Sequence, residues 1–284
     1  MARILIVEDN PANLKLATLL LSRANHVVLP AMDAEAGLAL ALAGHPDLIL
    51  MDIQLPGMDG LTATSILKTN PATAAIPVIA LTAMAMKSDQ EKSRLAGCDA
   101  YLTKPLRYQE LYAAIDEFLA MAASGAPVSS FSVSAGDEGW PERRDDSEVD
   151  RPPVDVRVLE GLVGHDRSVL LDFLDTFQSS TAKIAHELVG ACSRHEAVAA
   201  GAQAHKLKSS ARAVGAIDLG HLCTLLETAG RAKDVQTLTR LQPRFEEELR
   251  VVNAAIDGLR RSWAPAHAEF SPRAGSPQKR VANE

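Results

Sequence analysis

The sequence predicts two domains of different class, an α/β domain followed by an all-α one. Three observations carry that expectation. Short apolar runs alternate with amphipathic stretches over residues 1–120, a polar aperiodic segment follows at 121–153, and apolar residues then recur at helical spacing through 154–262. At about 150 residues per domain, a chain of 284 residues allows two domains. Apolar residues make up 47%, enough for packed cores, so wholesale disorder is excluded.

In the first half, the runs Arg3–Val7, His26–Leu29, Asp47–Met51, Pro77–Leu81 and Ala100–Leu102 read as strands separated by helices. That rhythm gives a parallel sheet with helices on both faces. Asn10 followed by Pro11 supplies an N-cap and a first-turn proline for the first helix, and Asp33 caps the second. Five strands in about 120 residues suit a flavodoxin-like doubly wound domain.

The segment 121–153 passes from small and polar residues to mixed charge and reads as a flexible linker. The second half is helical throughout. Leu170, Leu174, Phe177, Thr181, Ile184, Leu188 and Ala191 form one stripe, and Leu238, Leu241, Phe245, Leu249, Val252, Ile256 and Leu259 another. Two further stretches, His195–Val214 and Ile217–Gly230, lie between them, divided at Gly215. Four principal helices with apolar stripes should pack as an antiparallel bundle. Residues 263–284, proline-bearing and without a repeat, read as a disordered tail.

Charge and composition narrow the function. Lys plus Arg is 29 against 36 Asp plus Glu, a net charge of −7, which argues against a nucleic-acid binder. Aromatics are 4%, too few for base-stacking platforms. Cys98, Cys192 and Cys223 form no CxxC pair and read as small apolar packing in a reducing compartment. The apolar start is cut off at once by Glu8 and Asp9, so no signal peptide is expected, and no run approaches the roughly 20 residues of a membrane span. A soluble, cytoplasmic protein is the expectation.

In a doubly wound sheet, ligands bind beyond the carboxyl ends of the strands where strand order reverses. Glu8 and Asp9 close the first strand, Asp52 the third and Thr82 the fourth, and Lys104 sits just past the fifth. Three crowded carboxylates repel one another unless a cation joins them, and oxygen-only ligands favour a hard ion such as Mg²⁺. The Thr82 hydroxyl and Lys104 ammonium would then serve a phosphoryl group on Asp52, where positioning and charge neutralisation supply most of the catalysis.

The segments ILIVEDN, DLILMDIQLPGMDG, VIALTA and DAYLTKP make residues 1–120 resemble the receiver domain of two-component response regulators. The resemblance implies that Asp52 is the phosphoacceptor and that Asp9 binds Mg²⁺, with Glu8 behind it through water and the Gln54 backbone carbonyl completing the protein ligands. It implies that Thr82 and Tyr101 are the pair that rearranges on phosphorylation, and that the Lys104–Pro105 bond is cis.

In the helical half, the core stripe of the third stretch is Ala200, Ala204, Leu207, Ala211 and Val214. At about 100° per residue His205 lies about 160° from Leu207 and should face water, with Lys208, Ser209 and Arg212 on its side. A neutral imidazole is a usable nucleophile near pH 7. The segment AHKLKSSARAVGA resembles the histidine phosphotransfer domain, matching at His205, Leu207, Lys208, Ser210, Ala211 and Gly215-Ala216, while Ser209 stands where that family has glycine. The resemblance implies phosphotransfer through His205, with Lys208, Ser209 and Arg212 beside the phosphoryl group.

The two sites together imply a phosphorelay signalling protein. Asp52 accepts a phosphoryl group from an upstream sensor histidine kinase, and His205 exchanges one with a receiver domain, its own or another protein's. A different reading is a phosphorylation-switched adaptor whose helical half only docks partners. A third, a magnesium-dependent phosphatase, needs a DxD motif that neither EDN nor MDIQ supplies. Neither a Walker loop nor an ATPase domain is visible in the sequence, so no ATP-dependent kinase activity is expected; the receiver assists only its own phosphorylation and dephosphorylation.

Overall fold

The sheet is built around the strand that carries the first acidic pair. The computed structural model describes residues 1–82, 87–104, 106, 108–124, 131–132 and 152–263. Its first half runs β1 (Arg3–Val7), α1 (Pro11–Arg23), β2 (Val27–Ala31), α2 (Ala34–Gly44), β3 (Leu48–Asp52), α3 (Gly60–Thr69), β4 (Val78–Thr82), α4 (Lys87–Leu95), β5 (Ala100–Thr103) and α5 (Tyr108–Ser124). The five expected strands are present, shifted by two residues at most, and all pair in parallel. A two-residue strand β6 (Phe131–Ser132) adds to the far edge, giving the order β2-β1-β3-β4-β5-β6. Order reverses between β1 and β3, the switch point where a doubly wound sheet opens its crevice.

Side chains alternate across the pleat, so each strand serves two cores. Leu5, Val7, Ile49 and Met51 pack against α2 and α3, while Ile4, Ile6, Leu48 and Leu50 pack against α1 and α5. The caps stand where the sequence puts them. Asn10 Oδ1 accepts from the Ala12 amide at 2.9 Å, and Asp33 Oδ1 accepts from the Ala36 amide at 2.7 Å.

The segment read as linker begins later than expected. α5 continues to Ser124 and β6 lies inside 121–153, because helical pattern persists through the Ala-rich end of α5 and two residues are too short for a strand signal. Residues 133–151 and 264–284 lie outside the described residues, while Trp263, expected to open the tail, ends a helix.

The second half folds as α6 (Val156–Val163), α7 (Arg167–Ser193), α8 (Ala197–Ala213), α9 (Ile217–Arg231) and α10 (Val235–Trp263). Three-residue connections turn the last four back on one another, and α10 returns to α7 to close the bundle. The short α6 is an addition to the four expected helices, and buries only Leu159 and Val163. The expected stripe Ala200, Ala204, Leu207, Ala211 and Val214 is fully buried. Cys98, Cys192 and Cys223 are buried free thiols, and burial pushes Cys223 up to about 12. Among the described residues no helix is long and apolar enough to cross a membrane.

The halves are in contact. The outer side of α1 packs on α6, α7 and α8, so one apolar core runs from the sheet into the bundle. Lys15 Nζ reaches Asp172 Oδ2 at 2.6 Å and Thr176 Oγ1 at 2.7 Å, and Arg23 donates to the Val163 carbonyl.

Candidate functional site

Parallel pairing brings the strand ends to one edge. Glu8 and Asp9 follow β1, Asp52 ends β3, Thr82 ends β4 and Lys104 follows β5. One carboxylate oxygen from each of Glu8, Asp9 and Asp52 lies within 4.8 Å of the others. Three negative oxygens at that spacing suit a hard divalent cation with part of its water shell retained, so the residues fit Mg²⁺.

Lys104 Nζ is 2.7 Å from Asp52 Oδ2 and also bonds Glu8 Oε2. The Gln54 amide donates to Asp52 Oδ1 at 3.0 Å, and Asn13 Nδ2 to Glu8 Oε1 at 3.2 Å. Burial pushes the Glu8 carboxyl upward, against the pull of Lys104. Burial opposes the Lys104 charge, but Asp52 and Glu8 outweigh it and hold the ammonium above its ordinary value. Backbone geometry fixes Asp52 as well. A Cβ on Gly60 would lie 1.9 Å from the Asp52 carbonyl oxygen, so only glycine lets α3 start this close to the end of β3. Tyr101 lies on β5 beside Ala80, two register steps before Thr82, which pairs with Thr103. Pro105 lies outside the described residues, and with it the bond to Lys104.

The second site departs from expectation. The His205 side chain is only 11% exposed, and Lys208 and Ser209 are buried. The reason lies in what flanks α8. A Cβ on Gly230 would stand 2.5 Å from Gly201 Cα, so these two glycines let α9 approach α8 closely. That approach brings Glu227 of α9 under the histidine. Glu227 Oε1 is 2.9 Å from His205 Nδ1, Oε2 is 2.6 Å from Lys208 Nζ, and Arg231 also bonds it. Burial raises the Glu227 carboxyl, but the bonds to His205 and Lys208 outweigh it and draw it down to about 2. An ionised carboxylate only accepts, so His205 Nδ1 donates to Glu227 and Nε2 is the ring nitrogen left to act as nucleophile. Lys208 and Arg212, expected beside a phosphoryl group, are engaged with Glu227 and Thr224. Ser209 faces the receiver across a small cavity shared with Glu8 and Lys104.

Glu227 escaped the sequence reading, although a signal exists: it is a carboxylate at i+4 from Cys223 and three before Gly230, on the buried side of α9. Lys206 escaped too. It pairs with Asp9 Oδ2 at 2.6 Å, and its carbonyl accepts from Asn10 Nδ2 at 2.6 Å. The two sites therefore face each other. A cleft of about 620 Å³ lies between the segment that follows β3 and α8, lined by Gln54, Pro56 and Asp59 on one side and Gln203, His205 and Lys206 on the other.

Comparison with known proteins follows the same division. The family described as response regulator receiver domain matches residues 4–116, and the Hpt domain family matches residues 170–261. The polar-differentiation response regulator DivK of Brucella ovis is 43% identical over 116 residues, covering 41% of this chain and 94% of the relative. DivK of Brucella anthropi is 42% identical over the same coverage. Among solved structures, the receiver domain of a sensor histidine kinase from Pseudomonas aeruginosa PAO1, with a magnesium ion coordinated in its active-site cleft, is 34% identical with a TM-score of 0.40, covering 42% of this chain and 98% of that one. The receiver domain of a histidine kinase from Syntrophus aciditrophicus is 29% identical with a TM-score of 0.40, covering 42% and 91%.

Proposed function

Because this chain belongs to the response regulator receiver family and joins an Hpt domain to its receiver in a two-component phosphorelay, we propose that Asp52 and His205 are its two phosphoryl carriers. The observation that supports this most is the pocket in which Asp52 shares one ammonium, Lys104, with Glu8 while Asp9 stands beside them.

An Asp52 carboxylate oxygen attacks the phosphorus of a phosphohistidine on an upstream sensor kinase. The O–P bond forms as the N–P bond breaks, and the imidazole leaves as a neutral ring. Lys104 and the Thr82 hydroxyl hold the equatorial oxygens, and Glu8, Asp9 and Asp52, with the Gln54 carbonyl, would hold a Mg²⁺ that supplies further positive charge there. In the second exchange, Nε2 of His205 attacks the phosphorus of an aspartyl phosphate on a receiver; the N–P bond forms as the acyl O–P bond breaks, the aspartate leaves as a carboxylate, and Glu227 stabilises the ring as it becomes cationic. Hydrolysis of the Asp52 acyl phosphate within the same pocket returns the receiver to its resting state.

The experiment incubates wild-type protein, Asp52→Ala and His205→Ala with acetyl phosphate and MgCl₂ and follows intact mass. Wild type is expected to gain a hydroxylamine-sensitive phosphoryl group that Asp52→Ala lacks. Label offered on a phosphorylated receiver is expected to reach Asp52→Ala protein as an acid-labile adduct absent from His205→Ala. No mass gain in wild type would overturn the Asp52 role. No adduct at His205 would leave a switched adaptor instead of a relay.

A further inference from the structure

The helical domain contributes a charge to the receiver's acidic pocket. Glu8 and Asp52 share Lys104, which belongs to the receiver, but the carboxylate of Asp9 takes its counter-charge from Lys206 on α8. Asn10, next to Asp9, bonds the carbonyl of Lys206 at 2.6 Å and approaches Ser210 Oγ at 3.4 Å, so backbone and side chain are pinned at one point. Three carboxylates and two ammonium groups leave the pocket one negative charge. A divalent cation would reverse that sign, so it competes with the ammonium groups for the carboxylates. Lys104 is 6% exposed and bonded to two carboxylates. Lys206 is 25% exposed, forms an ion pair with one carboxylate whose Oδ2 has no hydrogen-bond partner, and is carried on a separate domain.

We propose that Lys206 is an interdomain latch that competes with a divalent cation for Asp9. Cation binding releases α8 from the receiver, and the docked helix in turn weakens cation binding, because coupling between two binding events is reciprocal. His205 precedes Lys206 directly and lines the cleft between α8 and the receiver, so releasing the latch widens access to the imidazole. Metal loading thereby opens the chain to outside phosphoryl partners, while the metal-free chain stays closed on itself. This rests on the reading of Glu8, Asp9 and Asp52 as a Mg²⁺ site.

The test is calorimetric titration of MgCl₂ into the full chain as wild type, Lys206→Met and Lys206→Arg, together with carbodiimide cross-linking of Lys15 to Asp172, an ion pair at the domain contact outside the pocket. Lys206→Met is expected to bind Mg²⁺ at least about fivefold more tightly than wild type, the lower end of usual coupling between sites. Lys206→Arg is expected to match wild type, and Mg²⁺ is expected to lower the Lys15–Asp172 cross-link yield in wild type. Equal Mg²⁺ affinity in Lys206→Met and wild type overturns the latch and leaves the metal site standing. Absence of Mg²⁺ binding in both proteins overturns the metal site, and the latch with it.

Discussion

Replacing Glu227 by alanine tests the helical site most directly, because the carboxylate joins α9 to two functional positions of α8. The side chains of Glu227 and Lys208 are 4% and 3% exposed and lie 2.6 Å apart. Removing one partner of a buried pair strands the other charge, at a cost of about 3–5 kcal/mol. The titration of Glu227 gives a second route to the magnitude. Its carboxyl is drawn from 4.5 down to about 2, worth about 3 kcal/mol at about 1.4 kcal/mol per pH unit, or nearer 2 where solvent screens the pair. Glu227→Ala should therefore cost about 3 kcal/mol at pH 7. A depressed carboxylate stabilises the fold fully above its unfolded value of 4.5 and loses that contribution as pH falls toward about 2. The gap between wild type and variant should accordingly narrow below pH 4.5. Urea unfolding followed by Trp263 fluorescence in a Trp140→Phe background reports on the bundle, since Trp263 ends α10 and packs against its core. Nitrogen NMR of the His205 ring supplies the functional reading: wild type holds the Nδ1–H tautomer, and the variant mixes both. A loss below about 1 kcal/mol that stays constant down to pH 3, with an unchanged tautomer, would refute the reasoning.

Three other substitutions follow from the same geometry. Gly60→Ala places a Cβ 1.9 Å from the Asp52 carbonyl oxygen, so the start of α3 must shift; a loss of about 1–3 kcal/mol in urea unfolding and slower acetyl-phosphate labelling of Asp52 are expected. Gly230→Ala drives α9 away from α8, costing a similar amount, and His205 should lose its single tautomer in the NMR spectrum without any change at Glu227 itself. Ser209→Gly removes a hydroxymethyl from the seam beside Glu8 and Lys104 and should speed arrival of label at His205 about threefold, under 1 kcal/mol of barrier, as followed by acid-labile phosphate over time.

The receiver half was legible because its signals are local. Each strand is a short apolar run, and the rule that ligands gather at carboxyl ends converts strand ends into a pocket without knowledge of packing. Glu8, Asp9, Asp52, Thr82 and Lys104 were placed that way, and parallel register brings the three carboxylates within 4.8 Å. The helical half was legible to the level of its stripes and no further. His205 does lie opposite Leu207 on the wheel, but the side opposite a core is exposed only when nothing else covers it. Here α9 covers it through Glu227 and the receiver stands across a cleft from it, each brought in by contacts far apart in sequence: Gly201 with Gly230, Asn10 with Lys206. A helical period carries no trace of such partners.

The composition of α8 does carry a trace, on a different axis. Reading AVAAGAQAHKLKSSARA by size instead of polarity shows that it is almost wholly Ala, Gly and Ser apart from its charged and amide groups. Short side chains permit close approach from several directions at once, and the helix is used that way. Ala200, Ala204, Leu207 and Ala211 enter the bundle core, Gly201 and Lys208 meet α9, and Lys206, Ser209 and Ser210 meet the receiver. At about 100° per residue these sets fall at about 0–60°, 100–120° and 200–300° from Leu207, leaving His205 at about 160°, in the seam between the second and third. A nucleophile in that seam is held by one neighbour and faces the other across a cleft. The neighbour that holds it, through Glu227, belongs to its own bundle. The one it faces is a separate domain, attached near the histidine by the pair between Lys206 and Asp9, so access to His205 is coupled to the receiver's acidic pocket.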